Sequence, residues 1–238
     1  LTDFLFPPAA PKSVAVQGDA RRYPVSRIFC VGRNYAAHAA EMGNEVDRDA
    51  PFYFIKGPQA VLESGSELAY PPGTADVHYE MELVVAIGAA AFQIAKDQAE
   101  GVIFGYGAGL DMTRRDLQAR AKEKRQPWDT AKDFECSAVL GALTRRADYG
   151  IVTDQRIQLA LNAETRQDAR LSDMVWSVAE IISDLSRLYH LQPGDLIMTG
   201  TPAGVGAVTT GDRLVGQIDG LAPVELTIGP FEDAARLR

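Results

Sequence analysis

Apolar and polar positions change their spacing along the chain in a way that predicts its elements. Early on, SVAVQGDARRYPV alternates around Gly18-Asp19, which predicts a small hairpin after a lead rich in proline (Pro7, Pro8, Pro11). RIFCVG (27–32) and PFYFIK (51–56) are short, nearly continuous apolar runs, the pattern of buried strands. Between them YAAHAAEMG (35–43) is alanine-rich and runs into a glycine, so it predicts a helix of about two turns that stops at Gly43. ELAYPPG (67–73) closes a strand on a double proline, and HYEMELVVAIG (78–88) predicts one continuous strand. IAKDQAEGVIFGYGAGLDM (94–112) predicts a short helix followed by a glycine-rich strand.

TRRDLQARAKEKR (113–125) predicts a helix capped by Thr113, with Asp116 in its first turn. IQLALNAETRQDA (157–169) predicts a hairpin turning through Asn-Ala-Glu-Thr. SVAEIISDLSRLYH (177–190) carries the clearest helix pattern: Ser177 and Glu180 form a capping box, Trp176 and Ile181 a hydrophobic staple, and His190 falls in the last turn, where a cation suits the dipole. DLIMTGTPAGVG (195–206) reads as a strand entering a glycine-rich loop, and GDRLVGQIDGLAPVELTI (211–228) as a closing hairpin. Strands outnumber helices and do not alternate with them, so the expected class is α+β, built on a mixed β-roll or sandwich. The expected organisation is an N-terminal extension and hairpin over 1–25 and a single catalytic domain over 26–238.

Composition narrows the function. The chain has 238 residues, 46% of them apolar, enough for one full core. Its net charge is −8 with both signs scattered, so the basic stripe of a nucleic-acid binder is missing. No apolar run reaches the length of a membrane span, and LTDFLFPPAAP lacks the two regions of a signal peptide. Cys30 and Cys136 are the only cysteines, which suits reduced thiols and a cytoplasmic setting better than a disulfide framework. The TGTPAGVG loop has no GK[ST], so it is not a nucleotide loop.

The chemistry enters at the mouth of the 78–88 strand. Side chains alternate along a strand, so Glu80 and Glu82 share a face with His78. Two carboxylates on one face repel, and burying either alone is costly. Glutamates of an edge strand, bridged to surface cations, would resolve this; so would a hard divalent ion such as Mg²⁺, Mn²⁺ or Ca²⁺, for which oxygen-only ligation is suited. Asp111, at the end of the glycine-rich strand, could complete a three-carboxylate site or could merely serve a turn. His38 and Glu41 lie three apart on a predicted helix and so share a face, as a base and its orienting carboxylate would, or as an ordinary surface pair would. Arg115 could grip a substrate carboxylate with two hydrogen bonds.

Five segments, GRNYAAHAAEMG (32–43), HYEMELVVAIG (78–88), GYGAGLDMTRRDLQ (105–118), Lys132 in AKDFE, and PGDLIMTGTPAGVG (193–206), together resemble the fumarylacetoacetate hydrolase family in kind and in order. The resemblance implies a homodimeric mixed β-roll that cleaves a C–C bond of a 2,4-diketo acid. It implies Mg²⁺ or Mn²⁺ on Glu80, Glu82 and Asp111, a catalytic dyad of His38 and Glu41, and a substrate pocket lined by Lys132, Gln118, Arg115 and Thr201. Three carboxylates and a dication leave one negative charge, which Lys132 balances. Arg33, beside the dyad helix, and Arg115 are the candidates to hold a second carboxylate on the substrate. The same machinery would also serve an oxaloacetate decarboxylase or a keto–enol isomerase; a non-catalytic binder of small acids would have no use for the His38–Glu41 pair. The sequence departs from the family's pattern at Gly57, Glu135 and Cys136, which bears on loop shape and touches none of these ligands.

Overall fold

The computed structural model of the protein describes residues 3–43 and 45–231. A mixed eight-stranded sheet forms its centre. Its main path runs Phe52–Lys56, Arg27–Gly32, Asp195–Met198, Met81–Ile87, Ile103–Asp111, Ala138–Leu140 and Val61–Glu63, with Thr144–Arg145 added beside Ile103–Asp111. Most neighbours are antiparallel; Asp195–Met198 runs parallel to Arg27–Gly32, and Ala138–Leu140 parallel to Val61–Glu63. A five-stranded sheet (Glu164–Arg170, Arg156–Leu161, Arg213–Ile218, Val224–Phe231, Ser66–Tyr70) covers one face, and a two-stranded hairpin (Ser13–Val16, Asp19–Pro24) lies on the other. The helices are α1 (Ala36–Glu41), α2 (Arg115–Lys124), the one-turn α3 (Asp129–Lys132) and α4 (Arg146–Tyr149), and α5 (Val178–Leu188). This is the α+β mixed roll that the patterning predicts.

Both faces of the central sheet are buried, which is why Met81–Ile87 reads as a continuous apolar run. Leu83, Val85 and Ile87 enter the larger core with Leu159, Leu214, Leu226 and Ile181. Val84 and Ala86 enter a smaller one with Cys30, Ile28, Met198 and the hairpin's Val14. By alternation Glu82 belongs to the Val84 face. On the neighbouring strand Gly109 pairs with Glu82, and a Cβ there would stand 2.6 Å from Val84 Cγ2. The glycine stripe therefore lets the strands pack closely on the face where Asp111, two residues on, emerges.

Several sequence expectations need correction. HYEMELVVAIG is two strands: Val77–Tyr79 joins a separate three-stranded sheet with Thr113–Arg114 and Gly206–Val208, and the chain breaks at Glu80 before resuming at Met81. Thr113 does not cap α2. It lies in that small sheet with its hydroxyl donated to Asp111 O (3.2 Å), and the helix starts two residues later. His190 lies beyond α5, which ends at Leu188; its ring instead stacks on Phe92 at 3.9 Å between centroids. The first hairpin turns at Gln17-Gly18, and the 156–170 hairpin at Asn162-Ala163, both of which adopt positive φ (51° and 67°). The Ser177–Glu180 capping box is present as expected.

Candidate active site

The break at Glu80 matters because it sets that carboxylate just ahead of the Met81–Ile87 strand, opposite the end of Ile103–Asp111, and frees a backbone amide. The amide of Met81 donates to Gln167 Oε1 (3.0 Å) rather than to a strand. Glu80 still faces Asp111 across the strand pair, with Asp111 N donating to Glu80 O (2.9 Å). Oxygen atoms from Glu80, Glu82 and Asp111 all come within 4.8 Å of one another, and all three residues are buried.

Cations surround two of the three. Lys132 Nζ, at the end of α3, bridges Glu80 Oε2 and Asp111 Oδ2 at 2.6 Å each. Arg115 Nη2 donates to Glu80 Oε1 (2.6 Å), and its Nη1 to Gln118 Oε1 (2.6 Å). Lys56 Nζ lies 2.8 Å from Asp111 Oδ1 and donates to Ser137 Oγ (2.8 Å) and to Lys132 O. Sequence reasoning assigned Lys132 alone to the charge balance; Lys56, wholly buried, went unnoticed. Its signal was a lysine closing the apolar run FYFI.

Glu82 is different. Among the described residues no lysine or arginine pairs with it, and its hydrogen-bond donor is the amide of Gly200 (2.8 Å). Burial, then the charges of Asp111 and Glu80, push its carboxyl well above the ordinary glutamate value. Burial acts on Glu80 in the same sense, but Lys132 and Arg115 outweigh it and hold that carboxyl well below the usual range. Lys132 is raised: burial works against its charge, and Asp111 and Glu80 overcome it. A buried carboxylate lacking a cation, beside two others, is the donor set that a hard divalent ion would complete. The residues fit such an ion.

All the predicted site residues except Glu41 and Asp111 line one cleft. Asp111 lies behind Lys132, and Glu41 behind His38. His38 Nδ1 is 3.1 Å from Glu41 Oε2, so Nδ1–H donates to the carboxylate and Nε2 is left as an acceptor. Glu41 in turn accepts the amide of Gly204 at 3.1 and 3.2 Å, which ties α1 to the glycine-rich loop. Gly204 has φ +96°, and a Cβ there would lie 2.1 Å from Arg166 O, so no other residue fits. Asn34 secures the other end of α1, donating to Thr199 O (2.7 Å) and Trp176 O (3.0 Å).

Supporting amides also set the polarity of the lining. Gln167 Nε2 donates to Thr201 Oγ1 (2.8 Å) and Pro202 O (2.8 Å), which leaves the Thr201 hydroxyl hydrogen free to donate. Arg115 occupies Gln118 Oε1 and so presents the Gln118 amide with its NH₂ as the remaining donor. Gln167 and Asn34 carried no signal in the sequence. His78 points away from the carboxylates and pairs with Asp76 (Nε2 to Oδ1, 2.9 Å), as a polar strand residue rather than a fourth ligand.

A curled mixed sheet that buries an oxygen-donor triad beside a His–Glu pair is the framework of an enzyme acting on small molecules. The chain belongs to the fumarylacetoacetate hydrolase family: residues 27–229 match the pattern described as fumarylacetoacetate (FAA) hydrolase C-terminal. It is 52% identical over 194 residues to a fumarylpyruvate hydrolase of Ralstonia sp., covering 80% of this chain and 100% of that one. It is 39% identical over 205 residues to an oxaloacetate tautomerase of Escherichia coli, covering 86% and 93%. The crystal structure of fumarylpyruvate hydrolase from Pseudomonas aeruginosa in complex with Mn2+ and pyruvate superposes with a TM-score of 0.93 at 47% identity, over 96% of this chain and 100% of that chain. Among the described residues no helix is long and apolar enough to cross a membrane, and both cysteines are free thiols.

Proposed function

We propose that this enzyme hydrolyses fumarylpyruvate to fumarate and pyruvate, with Mg²⁺ or Mn²⁺ held by Glu80, Glu82 and Asp111. The observation that carries the reading is that Glu80 and Glu82 of the buried triad and His38 of the His38–Glu41 pair line one cleft. A dication bound there supplies Lewis acidity toward the pyruvyl end of the substrate. His38 Nε2, its imidazole oriented by Glu41, takes a proton from water as the water oxygen attacks the acyl carbonyl. The bond between that carbon and the pyruvyl methylene breaks. Its electron pair stays with pyruvate as the enolate, and the proton held by His38 returns to the methylene carbon. Lys132 places a fixed positive charge beside the developing enolate, and the Thr201 hydroxyl and Gln118 NH₂ donate to substrate oxygens. Arg33 carries positive charge that attracts a second carboxylate; Arg115, the other candidate, adds only its charge, since both its terminal nitrogens are engaged by Glu80 and Gln118. We also propose a cytoplasmic homodimer; the free edge strand Phe52–Lys56, with Phe52 and Ile55 exposed, supports a self-association surface.

The test is turnover by the purified, metal-loaded protein, followed as loss of the diketo-acid absorbance with release of fumarate and pyruvate. Absence of both products overturns the reading. Similarity to an oxaloacetate tautomerase favours a second one, in which the same site interconverts or decarboxylates oxaloacetate. The same assay with oxaloacetate decides between them.

A further inference from the structure

At the outer end of the cleft two cations stand apart from the charge network. Arg33 Cζ lies 5.6 Å from the centroid of the Phe52 ring, and Lys122 Nζ lies 5.1 Å from that of Trp128. The two rings touch, with centroids 4.8 Å apart. The four side chains form an arch, cation–ring–ring–cation, over the mouth of the cleft, which all but Phe52 line. Among the described residues no carboxylate comes within ion-pair distance of either cation, and the buried Arg33 Nε has no hydrogen-bond partner. The Arg33 backbone is held at φ 59°, a left-handed conformation that side-chain-bearing residues seldom adopt and that the turn into α1 maintains.

Helix α2 supplies the scale. Arg115, Gln118 and Lys122 fall at i, i+3 and i+7, so one helix face presents all three to the cleft. Arg115, at the inner end, has both terminal nitrogens engaged by Glu80 and Gln118. Lys122 stands about 10 Å further along the axis, the length scale of an extended seven-carbon diacid. Trp128, under Lys122, also accepts the amide of Lys132 (2.9 Å), so one short helix sets the separation between the outer cation and the inner one.

Resting on the acylpyruvate reading above, we propose that Arg33 and Lys122 clamp the carboxylate at the acyl end of the substrate, and that Lys122 makes the enzyme prefer acyl groups ending in a carboxylate over neutral ones. Burial, then the nearby Arg115 and Arg33, lower Lys122 below the ordinary lysine value, and the charge of Glu80 does not outweigh them. An arriving carboxylate would relieve that repulsion and fill both vacant donor sets. Lysine stacked on tryptophan only for packing would need its methylenes and not its charge.

Lys122→Met keeps the stem on Trp128 and removes the charge, and Lys122→Arg restores it. We expect Lys122→Met to reduce the preference for fumarylpyruvate over acetylpyruvate, measured as a ratio of kcat/KM, by about tenfold or more, mainly through KM for fumarylpyruvate, with Lys122→Arg recovering most of it. An unchanged ratio in Lys122→Met overturns the clamp while leaving the acylpyruvate reading intact. Failure of that reading has a separate signature: wild-type protein that hydrolyses neither acylpyruvate. In that event fumarate titration calorimetry still decides the clamp, which requires about tenfold weaker binding in Lys122→Met and is overturned by equal affinity.

Discussion

The inner and outer ends of the cleft hold the same kinds of charge in opposite conditions. At the inner end Glu80, Asp111, Lys56, Lys132 and Arg115 are buried and matched, each cation within 2.8 Å of a carboxylate oxygen. Desolvation there is already met by the protein itself, and among the described residues Glu82 alone of the three carboxylates has no ion-pair partner. At the outer end Arg33 and Lys122 are half-buried and lie on aromatic rings, with no carboxylate at ion-pair distance among the described residues. The contrast separates two tasks. Fixed pairs hold a reactive geometry without reorganising, whereas vacant cations leave their binding energy for a ligand.

His38 lies between the two ends, so its loss should stop the chemistry and spare both. His38→Ala is expected to lower kcat by about 10²–10⁴ with little change in the affinity for oxalate, since the imidazole acts on water rather than on the ligand. A wild-type kcat would remove the pair from the mechanism.

The contrast also predicts which cations the fold depends on. Lys56→Met leaves Asp111 buried with one cation fewer, and should cost about 3–5 kcal/mol of stability. Arg33→Ala and Lys122→Met, on the half-buried arch, should each change stability by less than about 1 kcal/mol. Urea unfolding of the three variants measures this. Equal losses would erase the distinction between the two ends.

These two ends were unequally legible in the sequence. Glu80 and Glu82 could be put on one face from strand alternation, a periodic feature, whereas Asp111, at a strand end where a turn role stayed open, joined them only through the family resemblance. His38 and Glu41 could be paired from helical spacing. Lys56 and Lys122 escaped because their meaning is tertiary: one closes an apolar strand and meets a carboxylate from the fourth strand along the curled sheet, and the other finds its tryptophan across a loop. The break at Glu80 was likewise hidden. The apolar pattern runs straight through it, and the glutamine that takes the freed amide lies 86 residues on. Thr113 misled for the same reason: its local pattern suits a cap, while the small sheet claims it first.

Glu82, the one unmatched charge of the inner end, gives that end a pH signature. Its folded carboxyl is raised above its unfolded value, so above the ordinary glutamate pKa of about 4.3 the unfolded chain releases a proton that the folded one keeps. Stability must then fall as pH rises, by at most about 1.4 kcal/mol per unit, until the folded pKa is passed. Glu82→Gln cannot ionise and lacks this loss. In chelator-treated protein the variant should gain on the wild type between pH 5 and pH 7 in urea unfolding, and a bound dication should reverse the order. The subtraction cancels His78, whose burial lowers its pKa and makes stability rise with pH in both proteins. A flat difference would mean that Glu82 is ionised in the metal-free fold.

The smallest effect should come from Arg33, and it bears most directly on the outer end. Its guanidinium lies on Phe52, and its buried Nε lacks an acceptor, so a ligand carboxylate would be its missing partner. A site built around an unfilled donor discriminates against a ligand that cannot fill it. Arg33→Ala should therefore lower kcat/KM for fumarylpyruvate about tenfold more than for acetylpyruvate, the worth of one charge-assisted hydrogen bond. The alanine can keep the turn, because the left-handed backbone there costs it no more than it cost the arginine. Parallel falls for both substrates would mean that Arg33 shapes the entrance to α1 rather than reading the acyl end. In that case the outer cations would be structural like the inner ones, and the contrast between the two ends would be one of exposure alone.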